Sequence, residues 1–261
     1  MCRWIAYRGE TIPLEQYVTA PAHSLVEQSI RALESTAATN GDGFGLGWYG
    51  EHAEPGLYRE VRPAWSDENL RYLCRHIRSH LFFGHVRAAT ATPTTRPNCH
   101  PFVCGRWMFM HNGEVGNWAR VRRKVESLIP DEFYPSRIGT TDSEAVFLAI
   151  LGAGVERDPV GATLRTLATL AEMGRSHKEP LRFTSALTDG RNLYAFRFSA
   201  NDKANTLYYR AAGGDLLIAS EPLDDNREVW NAVPTNHMLV ARAGAALELS
   251  PIDLAVRVAA E

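Results

Sequence analysis

Apolar residues recur along this chain with two spacings, and the places where one gives way to the other mark out its elements. Arg3 to Tyr7 mixes β-branched and aromatic residues and predicts a strand beginning directly after Cys2. Residues 22–35 (AHSLVEQSIRALES) carry apolar side chains at helical spacing. The glycine-rich stretch 40–49 follows, and its second half alternates as a strand does. Residues 69–79 predict a helix, Leu81 to Arg87 a buried strand, Ala88 to Pro101 a polar loop with prolines, and Trp107 to Met110 another strand. His111-Asn112-Gly113 reads as a sharp turn, followed by a helix over Val115 to Leu128. Thr141 and Glu144 form a capping-box pair that opens a helix running through Ile150, and the next helix spans about Val160 to Met173. From Leu181 the texture changes to short strands separated by Asp-Gly, Gly-Gly and Asp-Asp. These are Phe183 to Leu187, Asn192 to Phe198, Leu207 to Arg210, Leu216 to Ala219, Met238 to Ala241 and Ala246 to Leu249.

Helices grouped between blocks of strands predict a layered α+β fold, and with no linker or internal repeat, one domain over 1–261. At 261 residues the chain can bury a large core, and 45% hydrophobic with 22% charged residues is ordinary for a globular protein. A formal net charge of -2 gives no reason to expect nucleic acid or an anionic membrane as partner. The basic run Arg120 to Lys124 fits the solvated face of a helix. No stretch has the length of a membrane span, and the N-terminus lacks the pattern of a secretory signal. The expected location is therefore cytoplasmic, where thiols stay reduced. That setting argues against disulfides among Cys2, Cys74, Cys99 and Cys104, whose spacing also gives no zinc site. Cys74 lies in the predicted helix 69–79 and reads as a packed, inert thiol.

Cys2 is different. Initiator methionine is normally trimmed before a residue as small as cysteine. The new terminus would then carry a thiol and an α-amine with a reference pKa of about 8, so that one residue supplies nucleophile and base. Attack on an amide also needs donors for the oxyanion. Asn112 and Gly113 offer a carboxamide N–H and a backbone N–H, although the same pair is also an ordinary hairpin turn. Arg87 could hold a carboxylate bidentately. Asp142 could hold an ammonium or simply serve the helix N-terminus. His100 reads as a residue ordering the loop after Arg87.

Taken together and in order, Cys2, Gly41-Asp42-Gly43 with Gly45, Gly84-His85-Val86-Arg87, His100-Pro101-Phe102, His111-Asn112-Gly113 and Thr141-Asp142-Ser143-Glu144 resemble the class II glutamine amidotransferases. The resemblance is strong over about the first 150 residues and looser through Ala219 to Leu223 and Val233 to Asn236. Within the class it points to the stand-alone branch, which includes the amidotransferase-like subunit of the fungal glutathione-degradation complex and the γ-glutamyl hydrolase of ergothioneine synthesis. Pro21 to Ser24, Asn40 to Gly45 and Pro63-Ala64-Trp65 favour the fungal relative. The resemblance implies a four-layer αββα sandwich of the N-terminal nucleophile hydrolase type. It implies Cys2 as nucleophile, Asn112 and Gly113 as oxyanion hole, Arg87 with Thr90 on the substrate α-carboxylate, and Asp142 on the α-ammonium, with His100 beside them. No metal or organic cofactor is implied. Two departures bear on free glutamine as donor and on how the pocket closes. Arg3 stands where synthase-linked members usually have Gly, and Ala88 where some sugar-directed members have Trp.

The expected activity is hydrolysis of a γ-glutamyl amide, glutamine or a conjugate such as a glutathione-like peptide, through a thioester on Cys2. The alternatives are a glutaminase subunit supplying ammonia to a separate synthase, and a non-catalytic binding module of the same fold. No phosphate-binding loop or dinucleotide fingerprint is present. The chain would then act alone on a small-molecule substrate or lend its site to a separate synthase or peptidase subunit, and a homo-oligomer is compatible with either.

Overall fold

In the computed structural model, which describes residues 2–35, 37–89, 92–174 and 181–254, the nucleophile candidate sits directly before the first strand. In chain order the strands are β1 (Arg3–Pro13), β2 (Phe44–Trp48), β3 (Gly56–Glu60), β4 (Arg78–Val86), β5 (Phe102–Cys104), β6 (Trp107–Glu114), β7 (Arg182–Thr188), β8 (Leu193–Ser199), β9 (Tyr208–Ala212), β10 (Asp215–Ala219), β11 (Asn231–Ala232), β12 (His237–Ala241) and β13 (Glu248–Pro251). The helices are α1 (Glu15–Val18), α2 (Leu25–Ile30), α3 (Glu68–His76), α4 (Trp118–Glu126), α5 (Asp142–Gly152) and α6 (Pro159–Gly174). Among the described residues the strands form a seven-stranded sheet, β11-β9-β10-β1-β4-β2-β3, and a six-stranded sheet, β13-β12-β8-β7-β6-β5. Neighbouring strands pair antiparallel throughout.

Successive residues of a strand face opposite ways, and here both faces are buried. Trp4, Ala6 and Phe83 of the first sheet meet Met108, Met110 and Ala195 of the second in one core between the sheets. On the far side of the first sheet, Ile5, Tyr7 and Phe82 pack against Leu25 and Leu70 from α2 and α3. On the far side of the second, Phe109, Phe183 and Phe196 pack against Phe147 and Leu167 from α5 and α6. Two sheets with a helical layer outside each make the αββα sandwich. Helix α5 is apolar nearly all the way round because it is buried from Ser143 through Leu151. The basic run of α4 is exposed at Arg120, Arg122, Arg123 and Lys124, as its solvated reading requires. Cys74 is fully buried, and burial pushes its thiol up to about 12.

The structure corrects several local expectations. His111-Asn112-Gly113 is strand and not turn: β6 continues to Glu114, with Asn112 opposite Thr184 and Gly113 opposite Phe183. A distant partner strand thus overrides the local turn signal of Asn-Gly. The helix expected over 22–35 is confined to Leu25–Ile30, capped by the Ser24 hydroxyl, which accepts from Glu27 N at 3.3 Å. Beyond it the Leu33 and Glu34 N–H groups donate to the buried carboxylate of Glu221 at 2.9 and 2.8 Å, which draws them away from helical partners. Helix α4 starts at Trp118, since Val115 N donates to Asp142 Oδ2 and Asn117 takes a left-handed conformation at φ 58°. The helix predicted over 69–79 stops at His76 because β4 begins at Arg78. Strands β3, β5 and β11 were not expected. They are short or only partly buried, so apolar alternation in them is faint.

The capping box at α5 is half formed. Thr141 Oγ1 accepts from Glu144 N at 3.2 Å. The Glu144 carboxylate instead accepts from Ile138 N and Gly139 N at 3.2 and 2.8 Å and pairs with Arg137, whose side chain is 5% exposed. Replacing Glu144 with Ala would leave that guanidinium buried with only Glu126 opposite. We expect a loss of about 3 kcal/mol, read as a lower denaturation midpoint at unchanged slope. A loss well under about 1 kcal/mol would show that the pair behaves as a solvated one.

Candidate active site

The register of the first sheet brings the nucleophile candidate to its surroundings. Arg3 pairs with Val86, so Cys2 lies beside the residues that leave β4, Arg87 and Ala88. Its Sγ accepts from Ala88 N at 3.4 Å and approaches Ala88 O at 3.6 Å. The second sheet contributes the end of β6, where Asn112 Nδ2 donates to the Cys2 carbonyl at 2.7 Å. Between the two sheet ends lies a cavity of about 100 Å³ bounded by Cys2, Arg87, Asn112, Gly113, Asp142 and Asn205.

Cys2 is half-buried. Burial pushes its thiol pKa up, while the Ala88 N–H and the charges of Arg87 and Arg3 oppose the rise. A thiol that rests protonated needs a base when it attacks. His111 does not fill that role. Its Nε2 lies 3.2 Å from the Arg182 carbonyl and must donate there, so Nδ1 accepts from the Ser143 hydroxyl at 2.8 Å. Burial lowers the His111 pKa, against the opposing Asp142 charge. Both ring nitrogens are therefore engaged.

Asn112 carries a second carboxamide N–H besides the one on Cys2 O, and Gly113 lines the cavity next to it. Gly113 has no room for a side chain: a Cβ there would stand 2.0 Å from the Arg182 carbonyl oxygen. Gly113→Ala should push the end of β6 off β7 and lower kcat by about 100-fold or more, measured as turnover of a γ-glutamyl amide. An alanine variant with unchanged kcat would remove Gly113 from the site.

Arg87 is anchored within its own loop. Its Nη2 donates to Thr92 Oγ1 at 2.7 Å and Thr92 O at 3.1 Å, and its Nη1 to Pro93 O and Asp42 O at 3.3 and 3.4 Å. The loop is stitched to the glycine-rich turn, where Asp42 Oδ2 accepts from Ala89 N at 2.8 Å and Arg87 N donates to Gly43 O at 2.8 Å. Gly43 is needed there, having φ +103° and Cys99 Sγ 2.6 Å from where its Cβ would be. Asp142 lies across the cavity. Its Oδ1 accepts from Ser143 N and its Oδ2 from Val115 N, at 2.8 and 2.9 Å. His100 lines the same cavity and stacks on His85, with ring centroids 4.2 Å apart. Burial lowers both rings, His85 to about 3, so both are neutral.

Six of the seven expected site residues thus surround one cavity, while Thr90 lies outside the described residues. Thr92, which the sequence reading did not single out, accepts from Arg87 through its hydroxyl. Sequence reading missed Asn98, whose side chain bonds Pro93 O and Thr140 N at 2.9 and 2.8 Å and so ties the Arg87 loop to the start of α5. It also missed Asn205. Asn98 stands next to the His100 motif and was within reach of inference, whereas Asn205 sits in a polar loop with no pattern around it.

Residues 18–212 match the family model for glutamine amidotransferases of class II. The chain belongs to this family. The matched span begins after Cys2. Over 93% of its length the chain is 33% identical to the probable glutamine amidotransferase DUG3 of Saccharomyces cerevisiae, covering 82% of it. It is 27% identical, over 93% of its own length and 96% of the relative, to the γ-glutamyl-hercynylcysteine sulfoxide hydrolase of Mycolicibacterium smegmatis. Among solved structures, a glutamine aminotransferase class-II domain protein from Silicibacter pomeroyi superposes with a TM-score of 0.76 at 37% identity, covering 97% of this chain and all of that one. The amidotransferase family and the αββα fold are both as the sequence motifs implied, and the fungal relative shares the higher identity of the two enzymes. No helix among the described residues is long and apolar enough to cross a membrane.

Proposed function

We propose that this amidotransferase hydrolyses a γ-glutamyl amide through a γ-glutamyl thioester on Cys2. The observation that carries the reading is the meeting, in one cavity, of the half-buried Cys2 thiol, an asparagine whose carboxamide donates to the Cys2 carbonyl, and a guanidinium and carboxylate on the surrounding wall. With Met1 removed, the α-amine takes the thiol proton as Sγ bonds to the γ-carbon. The carbonyl oxygen becomes an oxyanion between Asn112 Nδ2 and Gly113 N. Collapse expels the amine, which takes the proton from the ammonium. Water then attacks the thioester, releasing the γ-carboxylate and restoring the thiol.

Arg87 and Thr90 are assigned to the substrate α-carboxylate, Asp142 to the α-ammonium, and His100 to the wall beside them. Asp142 already accepts from Val115 N and Ser143 N with lone pairs to spare, so its orientation is set before substrate arrives, whereas a carboxylate on Arg87 takes over Nη donors that now bond Thr92, Pro93 and Asp42. Recognition of both α-groups selects a γ-glutamyl amide over a peptide bond. The names of the relatives fit this reading: one is a hydrolase of a γ-glutamyl conjugate and the other a probable glutamine amidotransferase. The whole chain would work as one domain in the cytoplasm, where Cys2 stays reduced.

The test is turnover by the purified chain alone. Comparable release of amine from γ-glutamyl conjugates and from glutamine supports the hydrolase. Turnover of glutamine only in the presence of a synthase would replace it with the ammonia-supplying reading, and inertness toward both would leave a binding module.

A further inference from the structure

The segment between β8 and β9 supplies a residue that the mechanism above does not use. Asn205 is 5% exposed and lies over a row of the second sheet formed by Asn112, Thr184 and Arg197, which pair in that order across β6, β7 and β8. Its backbone is pinned from two sides: Asn205 O accepts from Arg197 Nε at 2.8 Å and from Thr184 Oγ1 at 3.5 Å. Its side chain reaches forward to the cavity, where Nδ2 donates to the Asn112 carbonyl at 2.9 Å.

That carbonyl belongs to the same peptide unit as the Gly113 N–H. In a trans peptide the C=O and N–H point in opposite directions, so fixing one fixes the other. A donor on Asn112 O therefore decides where the Gly113 N–H is aimed. The next residue joins the same segment to the nucleophile strand. Arg3 Nη1 donates to Thr206 Oγ1 at 3.4 Å, and Thr206 Oγ1 donates to Ser220 O at 2.8 Å. Ser220 in turn is bonded to Trp4 through both its hydroxyl and its N–H, at 3.0 and 2.9 Å. Asn205 holds the oxyanion strand and Thr206 the nucleophile strand, and one peptide bond separates them. This also gives Arg3, the departure from the synthase-linked pattern, a contact of its own in the fold.

We infer that Asn205 is a positioning residue for the oxyanion site: by clamping the Asn112 carbonyl it orients the Asn112–Gly113 peptide, while Thr206 holds the same segment to the strand that carries Cys2. The inference rests on the thioester reading above. Removing the clamp costs nothing in ground-state recognition, since Arg87 and Asp142 are untouched, but it loosens a donor that acts on the tetrahedral intermediate.

Asn205→Ala deletes the donor, and Asn205→Leu fills a similar volume without one. For either variant we expect kcat to fall about 10- to 100-fold, less than the loss on deleting an oxyanion donor outright, with KM within about threefold of wild type. Inhibition by the γ-aldehyde of glutamate, which forms a tetrahedral hemithioacetal on the thiol, should weaken by the same factor as kcat. Alkylation of Cys2 by iodoacetamide forms no oxyanion and should proceed at the wild-type rate. Variants with unchanged kcat and aldehyde affinity would overturn the inference while leaving the thioester reading intact. So would loss of alkylation, a rise in KM matching the fall in kcat, or failure of the leucine variant to fold, each of which assigns Asn205 to the framework. A wild type that neither turns over γ-glutamyl amides nor binds the aldehyde would end the thioester reading and this inference with it.

Discussion

Cys2→Ala will retain the fold and lose turnover of γ-glutamyl amides by about 10⁴-fold or more. The fold should survive because the buried residues of β1 begin at Arg3 and Trp4, the half-buried Cys2 thiol bonds only Ala88, and the Cys2 carbonyl that Asn112 holds is kept in alanine. Turnover should not, because without sulfur there is no covalent intermediate, and the donors proposed for the oxyanion, Asn112 and Gly113, have no adduct to stabilise. Cys2→Ser sharpens the test by keeping a nucleophile of similar shape whose proton is far harder to remove, and it should recover only a small part of the loss. Circular dichroism with steady-state kinetics separates the effects. A folded alanine variant with more than about a tenth of wild-type kcat would mean that the nucleophile lies elsewhere.

The second large effect concerns the base. A leucine inserted between Met1 and Cys2 blocks methionine trimming and buries the cysteine nitrogen in an amide, leaving the thiol in place. Activity should fall by about 10²- to 10⁴-fold, the usual worth of a general base, although iodoacetamide still modifies the thiol. The expectation follows from the chemistry around Sγ. Burial raises the thiol pKa, His111 has both nitrogens engaged, and the Asp142 oxygens are held by Val115 N and Ser143 N. If the inserted chain keeps full activity with Met1 verified in place, the α-amine is not the base.

How much of this was legible beforehand depends on how local each feature is. Thr141 as helix cap, the strand after the glycine-rich turn and the paired short strands of the C-terminal third all follow from neighbours in sequence, and the structure places them where spacing predicts. The continuation of β6 through Asn112 and Gly113 depends on β7, some seventy residues on, so the local Asn-Gly signal pointed to a turn. The shortening of α2 depends on Glu221, which takes the N–H groups of Leu33 and Glu34 from across the sheet. In the site, Cys2, Arg87, Asn112, Gly113 and Asp142 belong to recognisable motifs and are brought to one cavity. Asn205 has no motif. Its contact with Asn112 spans 93 positions of sequence and arises only when the loop after β8 folds over the second sheet.

The most direct test is the mass of the protein after reaction with diazo-oxo-norleucine, a glutamine-like electrophile, followed by peptide mapping. The account predicts a single adduct, on Cys2, in chains that lack Met1, with loss of turnover in proportion to labelling. Labelling confined to Cys99 or Cys104, or full turnover by chains that retain Met1, would contradict it.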